Sequence, residues 1–205
     1  MRTNRLAIYI LTPLTIISLL LAIILRNCSD FTSNVLLSIF GSSLLALIMA
    51  IISYFCERRK TMRDLYFSCS RFLNFYSKLI KINGVFDIYE LRDIIDEWIN
   101  YYNDYLYISI SQALTIRKGS KLYLIVKELW DNVSKIYLFI CEDNENIQKV
   151  LIGELSVDSY RKIGIKCSSS DCLELINAII NAHKQLAEKM HFFDKKLQED
   201  NNNAD

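Results

Sequence analysis

Two long apolar runs without a charged residue stand near the start of the chain. They are Leu6–Leu25 and Val35–Phe55, and a short polar turn separates them. Each run has about 20 residues, which as a helix is about 30 Å long and matches the hydrocarbon thickness of a bilayer. Helices joined by so short a turn are antiparallel neighbours. The pattern predicts a transmembrane hairpin over residues 1–55, with spans at about 6–25 and 35–55.

A cleaved signal peptide is the alternative interpretation of the first run. Arg2 and Arg5 would form its basic segment. However, the apolar run is longer than that of a signal peptide, and Ile24, Leu25 and Arg26 offer no small residues for cleavage. The sequence therefore favours a membrane span.

Basic residues concentrate before the first predicted span and after the second. Arg2 and Arg5 precede the first span, and the connecting turn carries a single basic residue, Arg26. The basic residues that follow the second span are Arg58, Arg59, Lys60 and Arg63. Because short cytoplasmic segments carry the excess of Lys and Arg, we expect a multi-pass protein of the inner (cytoplasmic) membrane with both termini in the cytoplasm. Cys28 would then lie outside.

Helical spacing of apolar residues continues beyond the second run. No Pro or Gly interrupts it before Asn83-Gly84, a strong stop signal. One helix is therefore predicted from near Asn34 to about Lys81. Residues 56–198 would form a cytosolic α-helical bundle domain, and residues 199–205 a polar, disordered tail. The predicted fold class is mainly α.

Four more helices are predicted in this domain. Asp87 would cap the first. The second would cover Lys121–Cys141, followed by a loop at Asp143-Asn144 and a short helix over Asn146–Leu155. Asp171 would cap the last, whose apolar seam follows a rhythm of four and three residues. That seam is Cys172, Ile176, Ile179, His183, Leu186, Met190, Phe193 and Leu197.

Composition excludes several function classes. Residues 56–205 hold 21 of the 24 basic and 22 of the 23 acidic residues, which nearly cancel, so a general polyanion binder or a duplex nucleic-acid partner is not expected. The six cysteines lack zinc-site spacing and are expected to be small buried hydrophobes, with no metal or other cofactor. No hydrolase, phosphate-loop or metalloprotease motif is present. We expect no catalytic residues, and interpret His183 as a polar residue that sets helix register.

A stripe of small residues lies on the second predicted span. Its members are Ser38, Ser42, Ala46 and Ala50, each four residues apart. Small side chains let membrane helices approach closely. The stripe either receives the first span of the same chain or forms a self-association or pore-lining face.

Two basic turns are candidate anion sites. The first holds Arg117, Lys118, Ser120 and Lys121, and the second holds Arg161, Lys162 and Lys166. Each precedes a predicted helix, whose N-terminus offers free N–H groups and a positive dipole end. Ordinary helix capping with solvated lysines is the alternative interpretation.

The order of elements resembles the two-span membrane effectors of prokaryotic antiphage defence. These include CRISPR-associated effectors gated by cyclic oligoadenylate and retron-type effectors. The resemblance rests on the hairpin at Leu6–Leu25 and Val35–Phe55 followed by a small domain, covers the whole chain, and includes no sequence motif. It implies a homo-oligomer that senses a cyclic oligonucleotide or a protein trigger and perturbs the membrane lipid. The alternative is a non-catalytic, membrane-tethered adaptor or regulatory subunit that docks another protein.

Overall fold

The computed structural model describes residues 2–26, 30–82, 87–116 and 118–202 of the chain. Within these ranges the protein is helical and has no strand, which confirms the mainly α fold class. The helices are α1 (Arg2–Leu25), α2 (Asp30–Ile82), α3 (Ile88–Tyr101), a π-helix (Tyr102–Leu106), α4 (Tyr107–Ala113), α5 (Lys121–Leu151), α6 (Val157–Ile163), a 3-10 turn (Lys166–Ser168) and α7 (Ser170–Asn202).

The chain divides into two compact units within α2, between Lys60 and Thr61. We call residues 2–60 the helix pair and residues 61–202 the helical unit. The single helix predicted from near Asn34 to about Lys81 is confirmed, since α2 runs without interruption from Asp30 to Ile82. The predicted stop at Asn83-Gly84 lies outside the described residues.

Small and hydroxyl-bearing side chains occupy the buried face of the helix pair. They are Thr15, Ser18 and Ala22 on α1, and Ser33 and Ser43 on α2. The Ser33 hydroxyl donates to the Ala22 carbonyl oxygen over 3.1 Å. Small side chains at these positions let the two backbones approach closely.

The outer surface of the helix pair is apolar. Leu20 is 53% exposed and Leu45 is 65% exposed. By length and composition, Thr3–Leu25 and Asp30–Lys81 could each cross a membrane. Core helices and signal sequences share that length and composition. Only 17% and 6% of the two most apolar stretches is buried, however, and a core helix would be covered by its own protein.

The stripe predicted on α2 does not face α1. Ser38, Ser42 and Ala46 are exposed, and Ala50 is half-buried. Residues four apart advance 400° around a helix, so each step drifts by about 40° at 3.6 residues per turn. The stripe therefore winds away from the buried face on which Ser33 and Ser43 lie. The interpretation that it receives the first span does not hold for its first three members, and self-association remains a prediction.

Helix α5 is the centre of the helical unit and packs against α3, α4, α6 and α7. Its fully buried apolar residues are Val126, Leu129, Val133, Ile136, Ile140 and Ile147. The second half of α2 adds Leu65, Phe72 and Leu79 to the core of the unit. The Phe72 ring centroid lies 5.1 Å from that of Trp98 on α3. Full burial of each such side chain stabilises the fold by about 1.5–3 kcal/mol.

The loop predicted at Asp143-Asn144 is wrong. Helix α5 continues to Leu151 and replaces both that loop and the separate helix expected over Asn146–Leu155. Asp143 is fully buried, and its carboxylate accepts hydrogen bonds from the backbone N–H groups of Lys166 (2.7 Å) and Cys167 (2.8 Å). These contacts with a distant turn override the low helix propensity of Asp.

The predicted capping residues have two different outcomes. Asp87 caps α3 as predicted, because its carboxylate accepts from the N–H groups of Tyr89 (2.9 Å) and Glu90 (3.4 Å). For α7, the Ser169 hydroxyl rather than Asp171 accepts from the Cys172 N–H at 3.3 Å. Asp171 already lies inside the first turn.

Helix α7 also extends further than the sequence predicts. It continues to Asn202, so residues 199–202 are helical where a disordered tail was expected to begin. Gln, Glu and Lys before the last asparagines are good helix formers and propagate the helix. Residues 203–205 lie outside the described residues. The seam predicted on α7 is confirmed at Cys172, Ile176, Ile179 and Leu186, which are buried.

Candidate functional site

An open groove lies between α2 and the segment formed by the π-helix and α4. It encloses about 390 Å³, near the lower end of the range for small-molecule sites. Its lining residues are Asp64, Phe67 and Ser68 from α2, Asp104 and Tyr105 from the π-helix, and Ile108, Ser109 and Gln112 from α4. All of them belong to the helical unit.

The π-helix determines how the groove is built. The Tyr107 N–H donates to the Tyr102 carbonyl oxygen, five residues earlier, which widens this turn of the helix. Tyr102 is buried and stacks on Tyr137 of α5, with ring centroids 4.0 Å apart. With the inner side anchored, Asp104 and Tyr105 remain exposed. Short π-helices of this kind occur frequently at functional sites.

A hydroxyl pair forms the inner wall of the groove. The Ser68 and Ser109 hydroxyl oxygens lie 3.0 Å apart and join α2 to α4. The Tyr101 hydroxyl donates to the Ser68 carbonyl oxygen over 3.2 Å. Burial raises the pKa of Tyr101 above its ordinary value, so this hydroxyl keeps its proton and acts as a donor. The polar wall is thus fixed by contacts between elements.

The outer rim of the groove is acidic and aromatic. Asp64 and Asp104 are exposed, as are the rings of Phe67 and Tyr105, and the residues that line the groove include no basic side chain. Arg71 lies 5.1 Å from the ring centroid of Tyr101, which stacks on Tyr105 at 5.4 Å. The chemistry of this rim suits a cation rather than an anion.

The two basic turns predicted as anion sites meet α5 at widely separated positions. Lys118, Ser120 and Lys121 are at its N-terminus, whereas Lys166 is held by Asp143. Lys121 and Asp143 are 22 residues apart on one helix, or about 33 Å at 1.5 Å per residue. One small ligand therefore cannot contact both turns of the same chain.

The second basic turn is already rich in carboxylates. Arg161 Nη1 lies 3.8 Å from Asp158 Oδ1, and Lys166 Nζ lies 3.6 Å from Glu142 Oε1. Burial raises the pKa of Asp143, while hydrogen bonds from Cys167 and Lys166 act in the opposite direction. These nearby acidic groups offset the positive charge of the turn.

The first basic turn has more open lysines. Lys118 and Lys121 are exposed, and the Ser120 hydroxyl caps α5 by accepting from the Tyr123 N–H at 3.1 Å. Gly119 has φ of 80°, a conformation that favours glycine. Arg117 lies outside the described residues. Binding of an anion at either turn remains a prediction, and the first turn is the better candidate.

His183 packs against α2. Its ring stacks on Tyr66 with centroids 4.2 Å apart, and its Nε2 lies 2.8 Å from the Ser70 hydroxyl. Burial lowers the pKa of His183, so the neutral ring is favoured. These contacts fit the predicted role of setting helix register.

Three of the cysteines behave as small core residues. Cys69, Cys167 and Cys172 are buried free thiols, whereas Cys56 is exposed. A hydrogen bond between the Cys167 and Cys172 thiols raises the pKa of Cys167 and lowers that of Cys172. Within the ranges that the structure describes, no group of three or more His, Cys, Asp or Glu side chains could hold a metal ion.

The groove was not predicted from the sequence. The only available signal was the irregular pattern over Tyr101–Ile110, where apolar spacing fits neither a regular helix nor a strand. The π-helix accounts for this irregularity, because its wider turn shifts the register of the side chains that follow.

Comparisons with known proteins do not identify a relative. No protein-family model, no curated protein and no solved structure matches the chain.

Proposed function

We propose that the protein is a membrane effector whose hairpin perturbs the inner membrane when the cytosolic helical domain senses a signal. The observation that supports this most is the continuity of α2. One helix carries the exposed apolar surface of the helix pair and then Leu65, Phe72 and Leu79 of the core. A change in how the domain packs on this helix is therefore imposed on a helix that also belongs to the membrane segment.

The exposed surface of the helix pair supports a location in the bilayer. Large apolar side chains that would cost free energy in water are favourable against lipid. The proposed topology places both termini in the cytoplasm and Cys28, which lies outside the described residues, on the far side. An impermeant thiol reagent applied to intact cells should then label Cys28 and spare Cys141. Labelling of Cys141 in sealed cells would contradict this orientation.

The proposed effector is a homo-oligomer that uses the face of Ser38, Ser42 and Ala46. These residues are exposed in the single chain, so the face is open to a second copy. Neither span carries a charged side chain. Leakage would therefore run along hydroxyl groups or through disrupted lipid rather than through a charged pore.

The signal that we propose is a cyclic oligonucleotide, bound at Lys118, Ser120 and Lys121. The two basic turns of one chain are too far apart to share a small ligand. The phosphates of the ligand would therefore contact one turn of one chain, or the same turn in symmetric copies of the chain. Isothermal titration calorimetry of the full chain in neutral detergent with a panel of cyclic oligonucleotides tests this. Lys118→Glu should weaken binding by about tenfold or more, because a charge-assisted hydrogen bond contributes about 1.5–3 kcal/mol.

Lys184→Glu, at an exposed position on α7, is the matched control and should bind as the parent does. Absence of binding to every member of the panel would contradict a cyclic-oligonucleotide signal. It would leave the membrane activity itself to be tested by depolarisation.

The membrane activity has a direct test. Expression of the full chain in bacteria that carry a potential-sensitive dye should depolarise the membrane when the signal is supplied. Leu45→Lys should abolish depolarisation, because a lysine at the centre of a span costs about 2.5–3.5 kcal/mol to insert. A parent protein that inserts but never depolarises the membrane would exclude an effector.

A membrane-tethered adaptor is the second candidate function. The open groove with its exposed Phe67, Tyr105 and Ile108 favours it, since such side chains fit a bound partner. An adaptor leaves the membrane potential unchanged, so the same dye experiment separates the two functions.

A further inference from the structure

We propose that the groove between α2 and the π-helix is a binding site for a small linear organic cation with more than one ammonium group. The proposal concerns the helical unit. It does not depend on whether the hairpin perturbs a membrane or on whether the basic turns bind an anion.

Charge complementarity is the first argument. Asp64 enters the groove from α2 and Asp104 from the π-helix, so the two carboxylates come from different elements. The residues that line the groove include no Lys or Arg to neutralise them. A ligand with one ammonium group at each end can satisfy both, whereas a phosphate would be repelled.

The aromatic rings are the second argument. Phe67 is 61% exposed and Tyr105 is 60% exposed, although large aromatic side chains are usually covered. A cation over the face of such a ring is attracted by the ring quadrupole. The neighbouring Tyr101 already holds Arg71 in this way at 5.1 Å. The same aromatic stack therefore shows the interaction that an ammonium group would make with Tyr105.

The polar wall and the volume restrict the ligand further. The hydroxyl groups of Ser68 and Ser109 and the amide of Gln112 provide oxygen atoms that accept hydrogen bonds from ammonium groups. The groove volume of about 390 Å³ lies within the range of small-molecule sites. A linear triamine such as spermidine, with ten non-hydrogen atoms, fits this volume.

The consequence for the protein lies in which elements the ligand would join. Asp64 belongs to the helix that continues into the apolar segment, and Asp104 belongs to the π-helix that packs on α5 through Tyr102. A bound diamine or triamine would bridge them and hold α2 against the rest of the helical unit. Binding in the groove would thus determine how tightly α2 packs against the rest of the helical unit.

Isothermal titration calorimetry of the full chain in neutral detergent with spermidine tests the proposal. Asp64→Asn and Asp104→Asn preserve the size of an exposed side chain, so the fold is retained. Each should weaken binding by about three- to tenfold, and the pair should abolish it. Phe67→Ala and Tyr105→Ala keep both charges and should each weaken binding by about threefold or more.

Matched controls separate this site from general attraction between charges. Asp131→Asn, at an exposed position on α5, should bind spermidine as the parent does. Triethylene glycol, which has a similar length and no charge, should not bind. Mg²⁺ should compete only weakly, because it makes no use of the aromatic rings.

Three results would overturn the proposal. They are no binding of spermidine to the parent, equal affinities for the parent and the Asp64→Asn, Asp104→Asn double variant, and competition by Mg²⁺ at equal concentration. If a lysine-rich peptide binds in the groove and spermidine does not, the groove docks a protein and the small-cation proposal is wrong.

Discussion

Hydroxyl groups form different kinds of hydrogen bond in the helix pair and in the helical unit. In the middle of the helix pair they bond to their own helix: Thr15 donates to Leu11, Ser18 to Thr15 and Ser43 to Phe40, over 2.7–3.0 Å. In the helical unit Ser120 and Thr115 also bond locally, but other hydroxyls join separate elements, as Ser68 does with Ser109 and Ser70 with His183. Hydroxyl groups thus bond locally in the middle of the helix pair, whereas in the helical unit some of them also link separate elements.

The difference fits the proposed location of the helix pair in the bilayer. A hydroxyl bonded to a carbonyl three or four residues earlier needs no partner from outside, so its helix can lie in a medium without water. Bonds between the two helices of the pair occur near its ends, where Ser33 meets Ala22 and Asn4 meets Glu57. In the helical unit, bonds between elements fix the relative positions of helices whose apolar packing alone would permit alternatives.

The largest effect is expected at the deepest long-range contact, Asp143. Asp143→Ala removes the acceptor of two backbone N–H groups, those of Lys166 and Cys167. Hydrogen bonds to a charged group contribute about 1.5–3 kcal/mol each, so the free energy of unfolding should fall by about 3–5 kcal/mol. Urea unfolding of the full chain in detergent, followed by circular dichroism, measures this.

The neighbouring Glu142 provides the control. Its ion pair with Lys166 is 3.6 Å long and half exposed, so Glu142→Ala should change the stability by less than about 1 kcal/mol. Similar losses for the two variants would remove the distinction between a buried anchor and a surface pair.

Asp143 also shows where prediction from the sequence ends. The helix over Lys121–Cys141 was predicted, as was the cap at Asp87, because both signals lie within a few residues. An Asp-Asn pair indicates a loop by the same local rules. The segment stays helical because Asp143 accepts hydrogen bonds from two N–H groups 23 and 24 residues later. No pattern of neighbouring residues contains such a distant partner.

The candidate site has the same limitation. Lys118 and Lys121 were placed at a helix start from local signals, and the structure agrees on that position. The distance between the two basic turns could not be predicted. It depends on the full length of α5, and a loop was expected within that helix at Asp143. The groove depended on a π-helix, whose wider turn has no residue signature of its own.

The next largest effect is expected from truncating a buried leucine on α2, and an exposed leucine on the same helix serves as its control. Leu65 is fully buried in the helical unit, whereas Leu45 is 65% exposed in the helix pair. Leu65→Ala should lower the free energy of unfolding by about 2–4 kcal/mol through lost burial and a cavity. Leu45→Ala creates no cavity within the protein and should leave the same urea transition unchanged. A transition that shifts equally in both variants would contradict the division of α2 at Lys60.

A smaller effect is expected within the helix pair. Ser43 is buried and Ala46 is exposed, so Ser43→Leu should separate α1 from α2 at a cost of about 1–3 kcal/mol. Ala46→Leu should leave the pair intact and instead reduce self-association. Disulfide cross-linking between Ala22→Cys and Ser33→Cys, introduced together after replacing the native cysteines, reports on pairing. Chemical cross-linking between chains reports on self-association.

Two outcomes would revise this view of the helix pair. Loss of the disulfide cross-link in Ala46→Leu would place Ala46 between α1 and α2. Unchanged self-association in that variant would exclude the exposed stripe as the face between copies.

The smallest effect concerns pH. Because burial lowers the pKa of His183 below its value in the unfolded chain, the unfolded state binds its proton first on acidification. The stability due to neutral His183 is therefore present above about pH 6.5, the ordinary histidine pKa, and is lost as the pH falls below it. The Tm of the parent should decrease by a few degrees more between pH 7.5 and pH 5 than that of His183→Gln.

Equal acid responses in the parent and His183→Gln would show that the contacts with Tyr66 and Ser70 do not depend on protonation.

The contact of Asp143 with the turn at Lys166 also sets an order of events during synthesis. A ribosome adds about 5–20 residues per second, so the 23 residues between the two partners take roughly one to five seconds to be made. A helix forms within about a microsecond. The first half of α5 can therefore form early, while Asp143 stays hydrated until its partners are translated. The helical unit closes from its C-terminal side, after the apolar N-terminal segment has long left the ribosome.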